Sequence, residues 1–354
     1  MKYPFILYGA NGYTAELIAE LAVKHNVKPL LAGRSDKIIP LAQRLGLNYQ
    51  VCPLDDTDKM ADLLSKSDIF LNCAGPFMYT AKPAVKACLA HGVHYLDITG
   101  EHYVFEAMRA LDDKAKEKKI MILSGVGFDV VPSDCLALHL KNRLPSATHL
   151  TLAFASIKGG MSRGTAKTTV LGMGAGGMIR QNGQLKPVPL VYKTNEIDFG
   201  PFKSMAVTIP WGDISTAYFS TGIPNIMVYT GVKQSIIDTM KWNDRLGPLL
   251  RTSFARKLAT KAIEKRTEKV AGPDENRRNT AKCYFKGTVE DENGIKVEAL
   301  LTTPEGYKLT ALTAFEIVKE VMAGNFKIGY QTPATAYGPD FILKIDGCER
   351  TDVL

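Results

Sequence analysis

The sequence predicts an α/β protein, with an N-terminal doubly wound parallel sheet followed by a second domain of α+β type. Apolar runs of strand length alternate with segments of helical spacing from residue 5 to about residue 131, as parallel strands joined by crossover helices do. The runs 5–8, 69–75 and 120–127 are continuously apolar at their starts, which is typical of strands covered on both faces. After Pro132 strands predominate. We therefore expect one domain over 1–131 and a second over 132–331.

In the first domain each predicted strand is followed by a predicted helix. The strands are 5–8, 29–32, 49–54, 69–75, 94–100 and 120–127. The helices are 15–25, 38–45, 58–66, 82–91 and 103–118, and helix 133–142 closes the unit. The links between them are short, so we expect parallel strands with each helix crossing one face of the sheet.

The second domain mixes strands with a few helices. Its predicted strands are 149–156, 205–211, 215–221 and 225–232, followed by a basic helical stretch over 235–269, a hairpin over 282–306 and a helix over 309–322. The hairpin turns at 292–294, where Asn-Gly stands between apolar runs, a strong turn signal. The segment 158–204 is long and rich in Gly, Lys and Arg, which favours function or mobility over regular structure.

The composition excludes several classes of protein. The N-terminus lacks the basic end, apolar core and cleavage site of a signal peptide, and no apolar run approaches the ~20 residues needed to cross a bilayer. The six cysteines are scattered without zinc-site spacing. We therefore predict a reducing compartment, the cytoplasm, and no metal site.

The net charge of +8 is concentrated between Lys241 and Lys282. This basic stretch is compatible with a solvated helix face, an anionic-substrate site or a peripheral membrane contact. Nucleic acid is disfavoured as a partner, because no recognised binding motif accompanies the charge.

The first strand leads into "YGANGYTA", a Gly9-x-x-Gly12-x-x-Ala15 pattern, and then into a helix. Small residues at these places permit a tight turn, close approach to a pyrophosphate and close packing of the helix on the sheet. A tight turn without a ligand is the alternative, which the order of strand, turn and helix disfavours. The pattern predicts a Rossmann-type dinucleotide site. Its members are Gly9, Ala10, Asn11, Gly12, Tyr13 and Thr14.

The end of the second strand indicates which dinucleotide is preferred. An NAD site expects an acid there, yet no acid occurs between Leu21 and Ser35, and Arg34 precedes Ser35. A guanidinium suits the 2′-phosphate of NADP, because it offers paired hydrogen bonds to phosphate oxygens. We predict that NADP(H) is preferred over NAD(H), with an ordinary surface arginine as the alternative.

Ligands of such sheets bind beyond the carboxyl ends of the strands, where this sequence repeatedly combines glycine with a polar side chain. Asp55 is a candidate for the adenine edge or, equally, for helix capping. The remaining cofactor-binding candidates are Asn72, Ala74, Gly75, Pro76, Asp97 and Phe128.

The candidate catalytic residues are Tyr79, Glu101 and Asp129. Tyr79 is the preferred proton donor. The alternative for Asp129 is a loop brace, and for Glu101 a stabilising charge at a helix N-terminus.

Cations in the second domain are candidates for holding an anionic substrate group, with a solvated surface as the alternative for each: Arg163, Lys167, Arg180, Arg277 and Arg278. A short-chain dehydrogenase is disfavoured, because the Tyr-x-x-x-Lys pair Tyr229–Lys233 falls in a predicted strand and turn.

These motifs together resemble the saccharopine dehydrogenase-like family of oxidoreductases. The resemblance is carried by "YGANGYTAEL", "AGRS", "LNCAGPF", "HYLDITGE", "GFDVVPSD", "GPDENRR", "TPEGY" and "TPATAYG". It implies a nicotinamide-binding N-terminal domain, a substrate-binding and dimerising second domain, and a C-terminal segment 332–354 that packs back against the first. Saccharopine-forming members have a sixth-strand motif like "GLDPGIDH", whereas this chain has "GFDVVPSD", so it looks closer to the trans-acting enoyl reductase branch.

The sequence therefore predicts an NADP(H)-dependent oxidoreductase that transfers hydride to or from an enoyl, imine or carbonyl substrate. The expected partners are a small-molecule substrate, anionic or lipid-linked, and a second copy of the chain. An NADP-binding regulatory or scaffold protein without turnover is the alternative, because no clear acid/base signature accompanies the cofactor motif.

Overall fold

The computed structural model describes residues 2–157, 176–245 and 272–353. The chain forms two compact units. The first comprises Met1–Val131 and Tyr307–Ala336, and the second comprises Pro132–Gly306 and Tyr337–Leu354.

The first unit is built on a parallel sheet, as predicted. Its strands are β1 (Ile6–Tyr8), β2 (Leu30–Gly33), β3 (Tyr49–Val51), β4 (Ile69–Asn72), β5 (His94–Asp97), β6 (Met121–Ser124) and β15 (Gly329–Gln331). They lie in the order β15-β6-β5-β4-β1-β2-β3, and every neighbouring pair is parallel. The order runs outward in two directions from the β1–β4 pair, which makes the sheet doubly wound and confirms the predicted fold class.

Helices connect these strands. They are α1 (Tyr13–Lys24), α2 (Ile39–Leu45), α3 (Thr57–Leu64), α4 (Phe77–His91), α5 (His102–Arg109) and α6 (Asp112–Glu117). Two bounds differ from the prediction in ways that matter for the site. Helix α4 begins at Phe77 rather than residue 82, so Tyr79 lies in its first turn, and the predicted helix 103–118 is divided into α5 and α6.

A late segment of the chain returns to the first unit. Helix α11 (Gly306–Met322) precedes β15, whose Tyr330 N–H donates to Asp112 Oδ1 at 2.8 Å. The sequence-based division placed 307–331 in the second domain, and the structure differs there. Strand β15 has only three residues, which is too short for the sequence to predict the sheet that it joins.

The second unit contains a mixed sheet in its described residues. Its strands are β7 (His149–Ile157), β8 (Gly177–Gln181), β9 (Gln184–Val188), β10 (Thr194–Asp198), β11 (Lys203–Thr208), β12 (Asn225–Gly231), β13 (Lys282–Glu290), β14 (Lys296–Pro304) and β16 (Glu349–Val353). Its helices include α7 (Val131–Arg143), α8 (Asp213–Thr221), α9 (Gln234–Arg245) and α10 (Glu275–Thr280). Strands β7 and β12 are parallel, and β7 is antiparallel to β13. The hairpin predicted over 282–306 is β13–β14.

The C-terminal strand belongs to the second sheet. Strand β16 pairs with β14, and Asp352 Oδ1 lies 2.7 Å from His139 Nε2 and 2.8 Å from Arg143 Nη1 on α7. Residues 337–354 therefore join the second unit, and only 332–336 of the predicted returning segment belong to the first.

Two further predictions for the second unit differ from the structure. The segment 215–221 is helix α8 rather than a strand; it ends at Gly222, which adopts the left-handed conformation of a helix C-cap. The described part of 158–204 contains β8, β9 and β10; β9 and β10 are mostly exposed and polar, which hides the strand alternation. Residues 158–175 and 246–271, which include Arg163, Lys167 and most of the basic stretch, lie outside the described residues. Within the described ranges, none of the helices is both long and apolar enough to cross a bilayer.

Candidate active site

The loop after β1 is shaped by its closeness to the loop after β4. Gly9 has a φ of +81°, and a Cβ atom there would lie 2.7 Å from the Ala74 nitrogen and 2.8 Å from its Cα. Gly9 is therefore needed for two reasons, a left-handed backbone and a close approach of two loops. Gly12 is the N-cap residue of α1, and its N–H donates to Gly9 O at 2.9 Å.

The rest of this loop divides into an inner and an outer part. Ala10 is buried, and its N–H joins that of Gly9 in donating to Ala32 O at the end of β2. Asn11 is exposed, and Gly12, Tyr13 and Thr14 are partly exposed at the start of α1. The first N–H groups of a helix have no acceptor within the helix, and its dipole favours an anion at this end. The geometry fits a diphosphate at the outer part of the loop.

The ends of β2 and β3 bring opposite charges near the hydroxyl group of Tyr8. Arg34 and Asp55 are both exposed, and Tyr8 donates to Cys52 O at 2.9 Å. Burial raises the pKa of the Tyr8 hydroxyl, and the charges of Arg34 and Asp55 act on it in opposite directions. Both charges are therefore near enough to act on the Tyr8 hydroxyl, and Ser35, next to Arg34, is partly exposed.

Asp55 does not cap helix α3. The N-cap residue is Asp56, whose side chain accepts from Lys59 N at 3.1 Å. This excludes the capping role for Asp55, whose carboxylate is exposed, and the adenine-edge role stays a prediction.

Asn72, predicted as a cofactor ligand, is fully buried and holds the turn after β4. Its Oδ1 accepts from Ala74 N at 3.0 Å, and its Nδ2 donates to the Tyr95 hydroxyl oxygen at 3.2 Å. The Thr80 hydroxyl donates to Ala74 O at 2.6 Å from the other side. The Asn72 side chain thus shapes the turn that carries Ala74, Gly75 and Pro76.

Asp97 holds the ends of β5 and β6 together. Its Oδ1 accepts from Thr99 N at 3.0 Å and from Gly125 N at 3.1 Å, and its Oδ2 accepts from the Ser124 hydroxyl at 2.9 Å. Burial raises the pKa of this carboxyl to about 6, although the hydrogen bonds favour the charged form. Asp97 contributes to the site through the backbone that it positions.

Glu101 caps helix α4. Its Oε1 accepts from Phe77 N at 3.1 Å, and its Oε2 accepts from Met78 N at 2.8 Å and from the Tyr103 hydroxyl at 2.6 Å. A carboxylate at a helix N-terminus is stabilised by the N–H groups and the dipole. Tyr79, in the same turn of α4, is 62% exposed.

Asp129 stands beside Gly100, which provides the room for its side chain. A Cβ atom on Gly100 would lie 2.6 Å from Asp129 Oδ2. Burial, and secondarily the charge of Glu101, raises the pKa of the Asp129 carboxyl to about 7. A group with this pKa can both give and take a proton near neutral pH. The preceding residue, Phe128, donates its N–H to Thr310 Oγ1 at 3.0 Å.

Sequence reasoning missed five side chains that support these loops: the partly exposed Thr80 and the buried Tyr95, Thr99, Ser124 and Thr310. Tyr95, Thr99 and Ser124 lie on or just after β5 and β6, where a small polar residue or a tyrosine near a predicted site residue is a usable signal. Thr80 follows the predicted site residue Tyr79 in α4. Thr310 lies 182 positions from Phe128, and nothing in the local sequence connects the two.

Of the predicted anion-binding arginines in the described residues, Arg180 has a structural role. It is 4% exposed, its Nη1 donates to Gly183 O at 2.7 Å, and its guanidinium lies 4.2 Å from the centre of the Tyr218 ring. Arg277 and Arg278 lie on the short helix α10, where Arg278 Nη1 donates to Pro273 O at 2.8 Å.

Known proteins resemble this chain in sequence. Residues 5–123 match the family model of the saccharopine dehydrogenase NADP binding domain. A saccharopine dehydrogenase-like oxidoreductase of Bos taurus is 26% identical over 218 residues, which are 53% of this chain and 51% of that protein. A protein of Mycobacterium tuberculosis named as a trans-acting enoyl reductase is 30% identical over 178 residues, 46% of this chain and 42% of that protein. The chain spans about half the length of the curated relatives it matches.

Among solved structures, the apo saccharopine dehydrogenase (L-Glu forming) of Saccharomyces cerevisiae has a TM-score of 0.68, with 13% identity, and the match covers 99% of both chains. At that identity the likeness shows a shared fold. Together with the family model, these matches confirm the resemblance predicted from the motifs.

Proposed function

From the match of residues 5–123 to the saccharopine dehydrogenase NADP binding domain, we propose that this chain is an NADP(H)-dependent oxidoreductase. It transfers hydride to or from an enoyl, imine or carbonyl group. The nicotinamide supplies the hydride chemistry when it is bound. The chain's own residues bind and orient it and move the proton.

Two features support the preference for NADP(H). Arg34 is exposed at the end of β2, where a dinucleotide of this fold places its adenosine ribose. The segment from Leu21 to Ser35 contains no acid to hold a free 2′-hydroxyl. In this proposal the guanidinium binds the 2′-phosphate, and the amides at the start of α1 bind the diphosphate.

The observation that carries the reaction is the Asp129 carboxyl group beside Gly100, with its pKa raised to about 7. Reduction of a C=C, C=N or C=O bond requires a hydride and a proton, and a carboxyl group with this pKa retains its proton well above the usual range of aspartate. We assign the proton to Asp129 rather than to Glu101, whose two oxygens already accept three hydrogen bonds. Tyr79 is the second candidate donor.

The side chains next to Glu101, whose charge acts on Asp129, favour an apolar substrate. Met78, Tyr79 and Tyr103 are 46%, 62% and 44% exposed. The loop segments 73–81, 97–104 and 125–131 contain neither Lys nor Arg. In the first unit, these loops suit an enoyl or carbonyl group with an apolar flank, and they offer neither Lys nor Arg to a substrate carboxylate.

Isothermal titration calorimetry with NADPH and NADH tests the cofactor assignment. Arg34→Ala is expected to weaken NADPH binding by about 10- to 100-fold, the usual range for a lost hydrogen bond to a charged group, and to leave NADH binding within about twofold. Arg44→Ala is the matched control, because Arg44 is also exposed but pairs with Glu16 and Glu20. Equal losses for both cofactors would refute the role of Arg34.

NADPH oxidation with a panel of enoyl thioesters, cyclic imines and ketones tests the reaction. Asp129→Asn is expected to lower the rate by about 100-fold or more, and in the wild type the rate should fall as the pH rises through about 7, as Asp129 loses its proton. A loss in Tyr79→Phe with none in Asp129→Asn would move the proton to Tyr79. Tight binding with no oxidation across the panel would favour an NADP-binding regulatory protein.

A further inference from the structure

Helix α11 contacts the loop that carries Asp129, although the two lie far apart in the chain. Thr310 Oγ1 accepts the Phe128 N–H at 3.0 Å, and a Cβ atom on Gly127 would lie 2.7 Å from the Thr310 methyl carbon. The hydroxyl of Thr313 donates to Val126 O at 2.8 Å. Two threonines, one turn apart on one face of α11, therefore hold three consecutive residues of this loop.

The opposite side of the same loop is held by β5. Val126 N donates to Asp97 O at 2.8 Å, and Gly125 N donates to the Asp97 carboxylate at 3.1 Å. The loop is thus fixed at its start by Asp97 and further along by α11. The Thr310 contact is the last of these along the chain before Asp129, and one peptide unit separates it from that residue.

The first turn of α11 also touches the glycine-rich loop. The ring of Tyr307 meets the ring of Tyr13 edge to face, with their centres 5.2 Å apart. One helix therefore contacts both the loop assigned to the dinucleotide and the loop assigned to the proton donor.

We propose that Thr310 is a positioning residue, whose hydroxyl group fixes Phe128 and thereby sets the Asp129 carboxyl group beside Gly100. Thr310 and Phe128 belong to the same compact unit, and Thr310 is buried. The structural part of this proposal stands on the contacts alone. Its catalytic part rests on the proposed role of Asp129.

The two halves of the Thr310 side chain can be tested separately. Thr310→Val keeps the methyl group over Gly127 and removes the acceptor for Phe128 N–H, whereas Thr310→Ser keeps the acceptor and removes the methyl group. We expect hydrogen exchange of the Phe128 amide to be about tenfold faster in Thr310→Val and close to wild type in Thr310→Ser.

The Asp129 carboxyl group provides the readout that a merely stabilising contact would not move. Its titration midpoint, followed by NMR of ¹³C-labelled aspartate, should shift in Thr310→Val and stay in place in Thr310→Ser. With an active substrate, Thr310→Val should lower kcat by about 10- to 100-fold through misplacement of the donor, while the Kd for NADPH stays within about twofold.

The proposed reaction and the proposed role of Thr310 are tested by different measurements. If the wild type shows no turnover, the proposed reaction fails, and the exchange and titration measurements still decide the role of Thr310. Unchanged exchange and titration in Thr310→Val would overturn the positioning role, as would equal damage by the serine variant. Should the valine variant not fold, a wild-type Phe128 amide that exchanges at the rate of an open loop would overturn it as well.

Discussion

The two halves of the carboxyl edge of the first sheet use polar side chains in opposite ways. In the half formed by β1, β2 and β3, Asn11, Arg34 and Asp55 are exposed. In the half formed by β4, β5 and β6, Asn72 and Asp97 are fully buried and are occupied by backbone and side-chain partners. In the first half these polar groups are available to a ligand, whereas in the second Asn72 and Asp97 fix the loops that carry the proposed proton donors.

The difference follows from the cost of burying polar groups. A buried carboxylate is tolerated only where hydrogen-bond donors surround it. The donors around Asp97 come from the loops after β5 and β6, so its hydrogen bonds also hold these loops in place. An exposed guanidinium is satisfied by water and can exchange that water for a phosphate oxygen. Burial therefore separates Asn72 and Asp97, which build the site, from Arg34 and Asp55, which are open to a ligand.

The largest expected effect lies where the two halves meet, at Gly9. Gly9→Ala would place a methyl group 2.7 to 2.9 Å from Ala74 atoms in a backbone of φ +81°. We expect a loss of at least about 3 kcal/mol in the free energy of unfolding, from strain and from displacement of the neighbouring loop. Urea denaturation measures this loss.

Gly46→Ala separates the two causes. Gly46 has a φ of +62°, and a methyl group added there would meet nothing within 4 Å, so it has the backbone strain without the collision and should cost about 1 kcal/mol. If the two variants were equally stable, the close approach of the two halves at Gly9 would not be a determinant of the fold.

The next effect is a pH dependence from Asp97. Its pKa is about 6 in the folded protein and about 3.9 in an unfolded chain. The folded state therefore holds this proton more tightly, and the stability it contributes is complete below about pH 4 and is lost as the pH rises to about 6, by about 3 kcal/mol.

Asp97→Asn removes this titration. Its carbonyl oxygen can still accept from Thr99 N and Gly125 N, as Oδ1 does in Asp97, so the variant should fold. The difference in free energy of unfolding between wild type and variant should change over pH 4 to 6 and be constant above that range. A difference that is independent of pH would show that Asp97 is ionised throughout.

The same contrast explains what the sequence could predict. The order of strand, glycine turn and helix at Gly9 and Gly12, and the arginine at the end of β2, are local features, and they indicated the fold class and the candidate cofactor loop. The roles of Asn72 and Glu101 depend on hydrogen-bond partners that the sequence does not reveal. Their residue types suggested contact with a ligand, whereas their hydrogen bonds show that they support the surrounding backbone.

Contacts between segments that are far apart in the chain left even less signal in the sequence. Thr310 contacts Phe128 because α11 belongs to the first unit. Strand β15 has three residues, too few for the sequence to predict which sheet it joins. Helix α8 was predicted as a strand because "STAYFST" contains Thr, Tyr and Phe, which strands favour, and its glycine C-cap was the local signal for a helix.

Replacing Glu101 should lower the free energy of unfolding less than Gly9→Ala does, and more than the loss of an isolated helix cap. Glu101→Ala removes the acceptor of two N–H groups at the start of α4 and of the Tyr103 hydroxyl, and we expect a loss of about 2 kcal/mol in the free energy of unfolding. Asp56→Ala is the matched control, because Asp56 caps α3 through Lys59 N and should cost about 1 kcal/mol. A cost for Glu101→Ala no larger than the control would mean that its hydrogen bonds do not brace this half.

The smallest effect concerns Asp55, which tests the exposed half. Asp55→Ala should leave the free energy of unfolding within about 0.5 kcal/mol, since Asp56 provides the cap. If Asp55 meets the adenine, calorimetry should show NADPH and NADH weakened alike by about threefold, because both carry adenine. Asp56→Ala should do the reverse, lowering stability and leaving both affinities unchanged.

A loss of affinity confined to NADPH would place Asp55 with Arg34 at the 2′-phosphate. A loss of stability without a loss of affinity would make Asp55 a structural support, as Asn72 and Asp97 are in the other half.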